Sequence, residues 1–258
     1  MDLRSFEKLP YWARLGTVAV AICAVVGVIA FARRGHEPES ENPNRQATST
    51  TSTSASPTDE PEPTPVPGTL TKEQLTPALL GPNEVPAGFT ESDPPDSDGP
   101  DTIPQNDNAR CSELLHKTEL DAERSPGGEA QRVFTTSEVG PTIVHNVASF
   151  KSADDATTAI ALLRPLASEC TSWTETDKNG ATSYTVQELA LQSFGEESYA
   201  VQLVMEAAGQ TWHTQLIATR TGPNASMLAL SSPTPLVAED AVPLAQLASD
   251  KLAALPPA

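Results

Sequence analysis

SYTVQELALQSFGEESYAVQLVMEAAGQTWHTQLIATRTGPNASMLALS, residues 183–231, is the stretch from which the fold is read. In Ser198–Ala207 a larger apolar side chain recurs at every second position, Tyr199, Val201, Leu203 and Met205, which is the period of a strand with one buried face. Three more segments read as strands. Ser183–Leu191 follows Asn179-Gly180, Thr211–Arg220 follows Gly209, and Ala225–Ser231 follows Gly222-Pro223-Asn224. Turns this short join strands that are neighbours in space, so the four form an antiparallel meander.

Upstream, two further strand candidates, Gln131–Val139 and Thr142–Phe150, are split by Gly140-Pro141. Between these and the meander, Ser152 with Asp155 caps a helix from Ala153. Its apolar stripe is Ala156, Ile160, Leu163, Ala167 and Cys170, and Pro165 should kink it or end its regular part. Another helix spans about Ala109 to Leu120, with Cys111, Leu114 and Leu115 on one face. Thr71 and Gln74 form a capping box before a short helix to about Leu80. A last helix, capped by Asp240, presents Leu244, Ala245, Ala248, Leu252 and Leu255. The order α-α-β-β-α-β-β-β-β-α is α+β, with an antiparallel sheet of about five or six strands.

Farther upstream the chain changes character. Leu15 to Ala32 is 18 residues without a charge, about 27 Å as a helix and close to the thickness of a bilayer core. Tyr11 and Trp12 precede it, and Arg33 and Arg34 close it. It is a transmembrane helix or an export signal. Ala30-Phe31-Ala32 offers a cleavage site, but the run is long for a signal peptide, which favours an uncleaved signal anchor. A lipoprotein signal is disfavoured because Cys23 follows Ile22 in mid-span. Flanking positive charges tie, so the long C-terminal part decides the orientation, and its character places it outside the cell. Of the 22 residues Thr48–Thr69, 16 are Ser, Thr or Pro, a tract that cannot bury enough surface to order itself. The expected organisation is a cytoplasmic stub (1–14), an anchor (15–32), a disordered linker (33–69) and one extracellular domain (70–258). The expected address is a single-pass cell-membrane protein.

The net charge of the chain is −18, and from residue 70 onward 10 Lys+Arg face 26 Asp+Glu. A surface this acidic excludes nucleic acid as a default partner. Of three cysteines, Cys23 lies in the apolar run, which leaves Cys111 and Cys170. In an oxidising compartment these form one disulfide, the alternative being two separate buried thiols. No CxxC and no histidine at ligand spacing accompanies them, so no metal ligand is assigned.

Five stretches carry a family resemblance: LTPALLGPNEVPAGF at Leu75–Phe89, ARCSELL at Ala109–Leu115, VASFKSADDATTAIALL at Val147–Leu163, ASECTSW at Ala167–Trp173 and PLAQLASDKLAAL at Pro243–Leu255. With the order stub, span, spacer and acidic domain, the chain resembles the PknH-like extracellular sensor domains of actinobacteria, here as a membrane-anchored member without a kinase domain. The resemblance implies a twisted antiparallel sheet flanked by helices, with a groove for an unidentified ligand. Kinase-linked members usually carry two disulfides; this chain has cysteines for one.

Catalytic signatures are missing: there is no G-x-S-x-G, no H-E-x-x-H and no Gly-rich phosphate loop. His36 falls in the linker and His116 on the exposed side of its helix, while His145 and His213 lie in strands that could be sheet neighbours. The acidic run Asp93–Asp101 fails the calcium-loop pattern, with Pro94 in the first position. Asn224-Ala225-Ser226 matches the glycosylation pattern but is explained by a turn. Trp212, Tyr199 and Tyr184 either line an apolar groove or form the core face of the sheet. The expected function is a non-catalytic binding or sensor-like module without a cofactor, its ligand-binding residues unassigned. Its partner would be an unidentified envelope ligand or protein. An envelope protein–protein interaction module and a hydrolase built on His145 or His213 are the alternatives.

Overall fold

The computed structural model describes residues 68–93, 105–116, 127–137, 140–161, 163–177 and 180–257. The apolar run with Cys23, the stub, nearly all of the linker, His36 and the acidic run beyond Asp93 lie outside them, as does the His116 side chain. Among the described residues no helix is long and apolar enough to cross a membrane.

The chain is α+β, as expected, but the sheet is larger. Among the described residues it has nine antiparallel strands: β1 (Thr90–Ser92), β2 (Gln105–Asn106), β3 (Gly128–Thr135), β4 (Thr142–Ser149), β5 (Ser172–Asp177), β6 (Gly180–Glu188), β7 (Glu197–Ala207), β8 (Gln210–Thr221) and β9 (Asn224–Ser232). Their order is β1-β3-β4-β9-β8-β7-β6-β5-β2. The meander is present, and the β3–β4 hairpin adds to its far end, Thr142–Ser149 pairing residue for residue with Ser231–Asn224. The count of five or six strands is corrected by β1, β2 and β5. The first two are three and two residues long, too short to leave a periodic trace, and they end the sheet without a long exposed edge. In β5 the inward positions are Trp173 and Glu175, both 3% exposed, and an inward carboxylate hides the alternation.

Helices cover both faces. One face carries α2 (Ala109–His116), α3 (Ala153–Ala161) and α4 (Leu163–Glu169), which pack Cys111, Ala156, Ile160, Leu163 and Leu166 onto Val186, Val201, Leu203, Met205 and Leu216. The segments α3 and α4 occupy the span of the helix expected from Ala153, and Leu162, between them, lies outside the described residues. Ser152 caps α3 as expected, its Oγ accepting from the Asp155 N–H at 3.1 Å. The opposite face carries α1 (Lys72–Leu75), a 3-10 turn at Thr76–Ala78, and α5 (Val242–Ala253). The Thr71–Gln74 capping box is formed. Asp240, however, does not cap α5; it lies in the 3-10 turn Ala238–Ala241, where its carboxylate accepts the Val237 N–H at 2.7 Å. Pro243 explains the offset, since proline suits the first turn of a helix starting at Val242.

Cys111 and Cys170 are joined, with Cα atoms 5.4 Å apart and both residues fully buried. The bond ties α2 to the end of α4. Among the described residues, two hairpins are closed by two-residue loops. Ala208 and Gly209 both have positive φ, 49° and 76°, the signature of a type I′ turn; Gly222 has φ 58° ahead of Pro223, as in type II′. Asn224 is the first residue of β9 and 5% exposed, so the turn does not depend on it and the glycosylation pattern is buried.

Candidate functional site

The side of α4 that faces β6 and β7 leaves a cleft of about 340 Å³ lined by Leu163, Arg164, Ala167, Ser168, Glu188, Tyr199, Ala200 and Val201. The helix supplies residues at spacings of one and four, which share a side, and the strands supply Val201 with its register partner Glu188. Leu163 and Val201 are buried; Arg164, Ser168 and Glu188 form an exposed rim. The cleft therefore has an apolar floor and a charged edge.

Tyr199 is held on both sides. The Arg164 guanidinium lies 4.1 Å above its ring centroid, within cation–π range. Its hydroxyl donates to Glu197 Oε1. Glu197 also meets Arg164 at 3.6 Å and Arg220 at 3.4 Å, and Arg220 reaches Glu196 at 2.6 Å. The Ser168 hydroxyl donates to the Arg164 carbonyl at 2.9 Å, within the helix. Such a site can hold a small ligand by contact and charge. Nothing in it forms a nucleophile with a base.

The aromatic groove proposed from sequence divides. Tyr199 lines the cleft, whereas Tyr184 and Trp212 are 4% and 6% exposed and belong to the core. Tyr184 stacks on Trp173, its register partner, with centroids 4.8 Å apart. Sequence reasoning did not single out Arg164 or Glu188. Arg164 follows a stripe residue next to Pro165, and Glu188 ends a strand; only the packing of α4 over the ends of β6 and β7 unites them.

The two strand histidines are not neighbours, because β9 separates β4 from β8. His145 is fully buried under α1 and α5. Its Nδ1 accepts the Leu80 N–H at 3.0 Å and its Nε2 meets Ser226 Oγ at 2.8 Å. With Nδ1 occupied as an acceptor, the neutral ring carries its proton on Nε2 and donates to the serine. That polarity is the reverse of what a general base for Ser226 requires. Burial, helped by the charges of Lys251 and Arg132 and opposed by Glu84, brings His145 down to about 3. The pair is a structural fastening. Around it Arg132 donates to the Leu80 carbonyl at 3.0 Å, and Lys251 bonds both oxygens of Glu84 at 3.0 and 2.8 Å, which holds that carboxyl below its ordinary range. His213 has a buried Nδ1 without a partner among the described groups and sits at the border of the same face. No group of three or more His, Cys, Asp or Glu among the described residues could hold a metal ion.

This architecture has a counterpart among solved structures. The chain is similar in fold to the extracellular domain of PknH from Mycobacterium tuberculosis. The TM-score is 0.53 at 15% sequence identity, over 71% of this chain and 97% of that one. No protein-family model matches the chain, and no curated protein matches it.

Proposed function

We propose that the protein is a membrane-tethered extracellular binding module, sensor-like and non-catalytic, in which the α4–β7 cleft takes a small envelope ligand. The observation that carries this reading is an apolar floor with an exposed charged rim on a fold similar to an extracellular domain. The apolar run Leu15–Ala32 followed by the Ser/Thr/Pro tract supports the tether. His145, whose acceptor nitrogen is taken by a backbone N–H, argues against the hydrolase alternative.

A ligand that binds only the folded state raises its melting temperature. Titration of the full chain with envelope lipids, glycans and metabolites should produce such a rise, and Ala167→Trp, which fills the cleft floor, should abolish it. A shift that survives Ala167→Trp would place binding elsewhere. For topology, protease added to intact cells should release a fragment beginning within residues 48–69, and complete protection would overturn the outward orientation.

A further inference from the structure

The cleft carries two charges that differ in how they are committed. Arg164 contacts Glu197 at 3.6 Å with its side chain 63% exposed, a surface ion pair of the weak kind. Glu197 keeps Arg220 and the Tyr199 hydroxyl if Arg164 turns to another anion. Glu188 has no hydrogen bond or ion pair with any described residue, although it stands at the rim of the same cleft. One cation is thus loosely held and one carboxylate is unpaired.

The strand register brings the two to one cleft. Glu188 pairs with Val201, and Tyr199, which carries Arg164 on its ring, lies two residues from Val201 on the same face. Such diagonal backbone positions are about 7–8 Å apart, so the register sets Glu188 and the Tyr199 ring that carries Arg164 on one face as near neighbours. Leu163, Ala167 and Val201, all apolar, line the same cleft. A volume of about 340 Å³ is at the lower end for small-ligand sites and suits a molecule of that size.

We infer that the cleft binds a dipeptide-sized zwitterion of small apolar residues, its ammonium at Glu188, its carboxylate at Arg164 and its side chains on the Leu163–Ala167–Val201 floor. This rests on the reading of the domain as a binding module and names the ligand class. The neutral ends of a blocked peptide would leave Glu188 unpaired and give Arg164 no reason to leave Glu197.

The test is calorimetric titration of the full chain with alanyl-alanine, its N-acetyl derivative and its C-terminal amide. Free alanyl-alanine should bind at least tenfold more tightly than either blocked form. Glu188→Gln should erase the penalty for acetylation while keeping that for amidation, and Arg164→Gln should do the reverse. Both side chains are on the exposed rim, so neither change threatens folding. Equal binding of free and blocked forms, lost in Ala167→Trp, would overturn the zwitterion inference and leave the cleft as a binding site. If no dipeptide binds while envelope components still shift the melting temperature in a manner sensitive to Ala167→Trp, this inference fails and the module stands. If no component shifts it either, both fail.

Discussion

Glu129, half-buried at the start of β3, and His145, fully buried in β4, are displaced in opposite directions by loss of water. Desolvation raises the Glu129 carboxyl from 4.5 to about 8, and His145 falls from 6.5 to about 3. For Glu129 the folded state binds more protons than the unfolded one between those values, so stability falls as pH rises from about 4.5 to 8. For His145 the unfolded state binds more protons, so stability falls as pH drops from 6.5 to 3. Between about 4.5 and 6.5 the two slopes cancel. Denaturant unfolding from pH 3 to 9 should therefore give a plateau in that window and a decline on either side, with Glu84 adding to the acid limb. Glu129→Gln should flatten the alkaline limb, and a decline of unchanged steepness would refute the assignment. At neutral pH, His145→Leu should cost about 2–4 kcal/mol, because the Leu80 N–H loses its acceptor in a dry site. The burial of His145 had no local mark in the sequence; a histidine within IVHNV reads equally well as a surface residue until its neighbouring strand is known.

At the scale of elements, the β7–β8 loop places a non-glycine residue, Ala208, at φ 49°. Asn tolerates this region better, so Ala208→Asn should raise stability by up to about 1 kcal/mol, readable as a higher melting temperature. The disulfide between α2 and the end of α4 links residues 59 apart, and its removal in Cys111→Ala should cost roughly 4 kcal/mol in denaturant titration. Non-reducing peptide mapping should recover the two cysteine peptides linked. Their meeting was legible because both cysteines lay on the apolar sides of helical patterns. β5 was not, since its register depends on Trp173 stacking against Tyr184 from a strand later in the chain. The cleft was half legible: Tyr199 showed its alternation, but Arg164 and Glu188 come to border one cleft only after α4 has docked.

For the molecule as a whole, the joining of β4 to β9 is the feature that local pattern could not reveal. It links Thr142 with Ser231, across the entire meander, and both segments would read the same as edge strands. Charge, by contrast, was fully visible. With 26 acidic against 10 basic residues from position 70 onward, anionic vesicles should not bind the domain at low salt, and binding that appears there and vanishes at high salt would reveal a basic patch. The packing under α1 and α5 has a consequence for the two ends of the folded domain. Leu70 and Leu75 share a buried cluster with Leu252, and Leu255 packs against it, so the path into the fold and the path out of it lie side by side. From Leu70 to Leu255 the folded domain closes almost into a ring. A circular permutant with residues 70 and 255 bridged by a short flexible peptide and new ends opened between Ala208 and Gly209 should fold to the same sheet. By the same geometry the unit can sit at the tip of a stalk or be spliced into a surface loop of an unrelated host without stretching either.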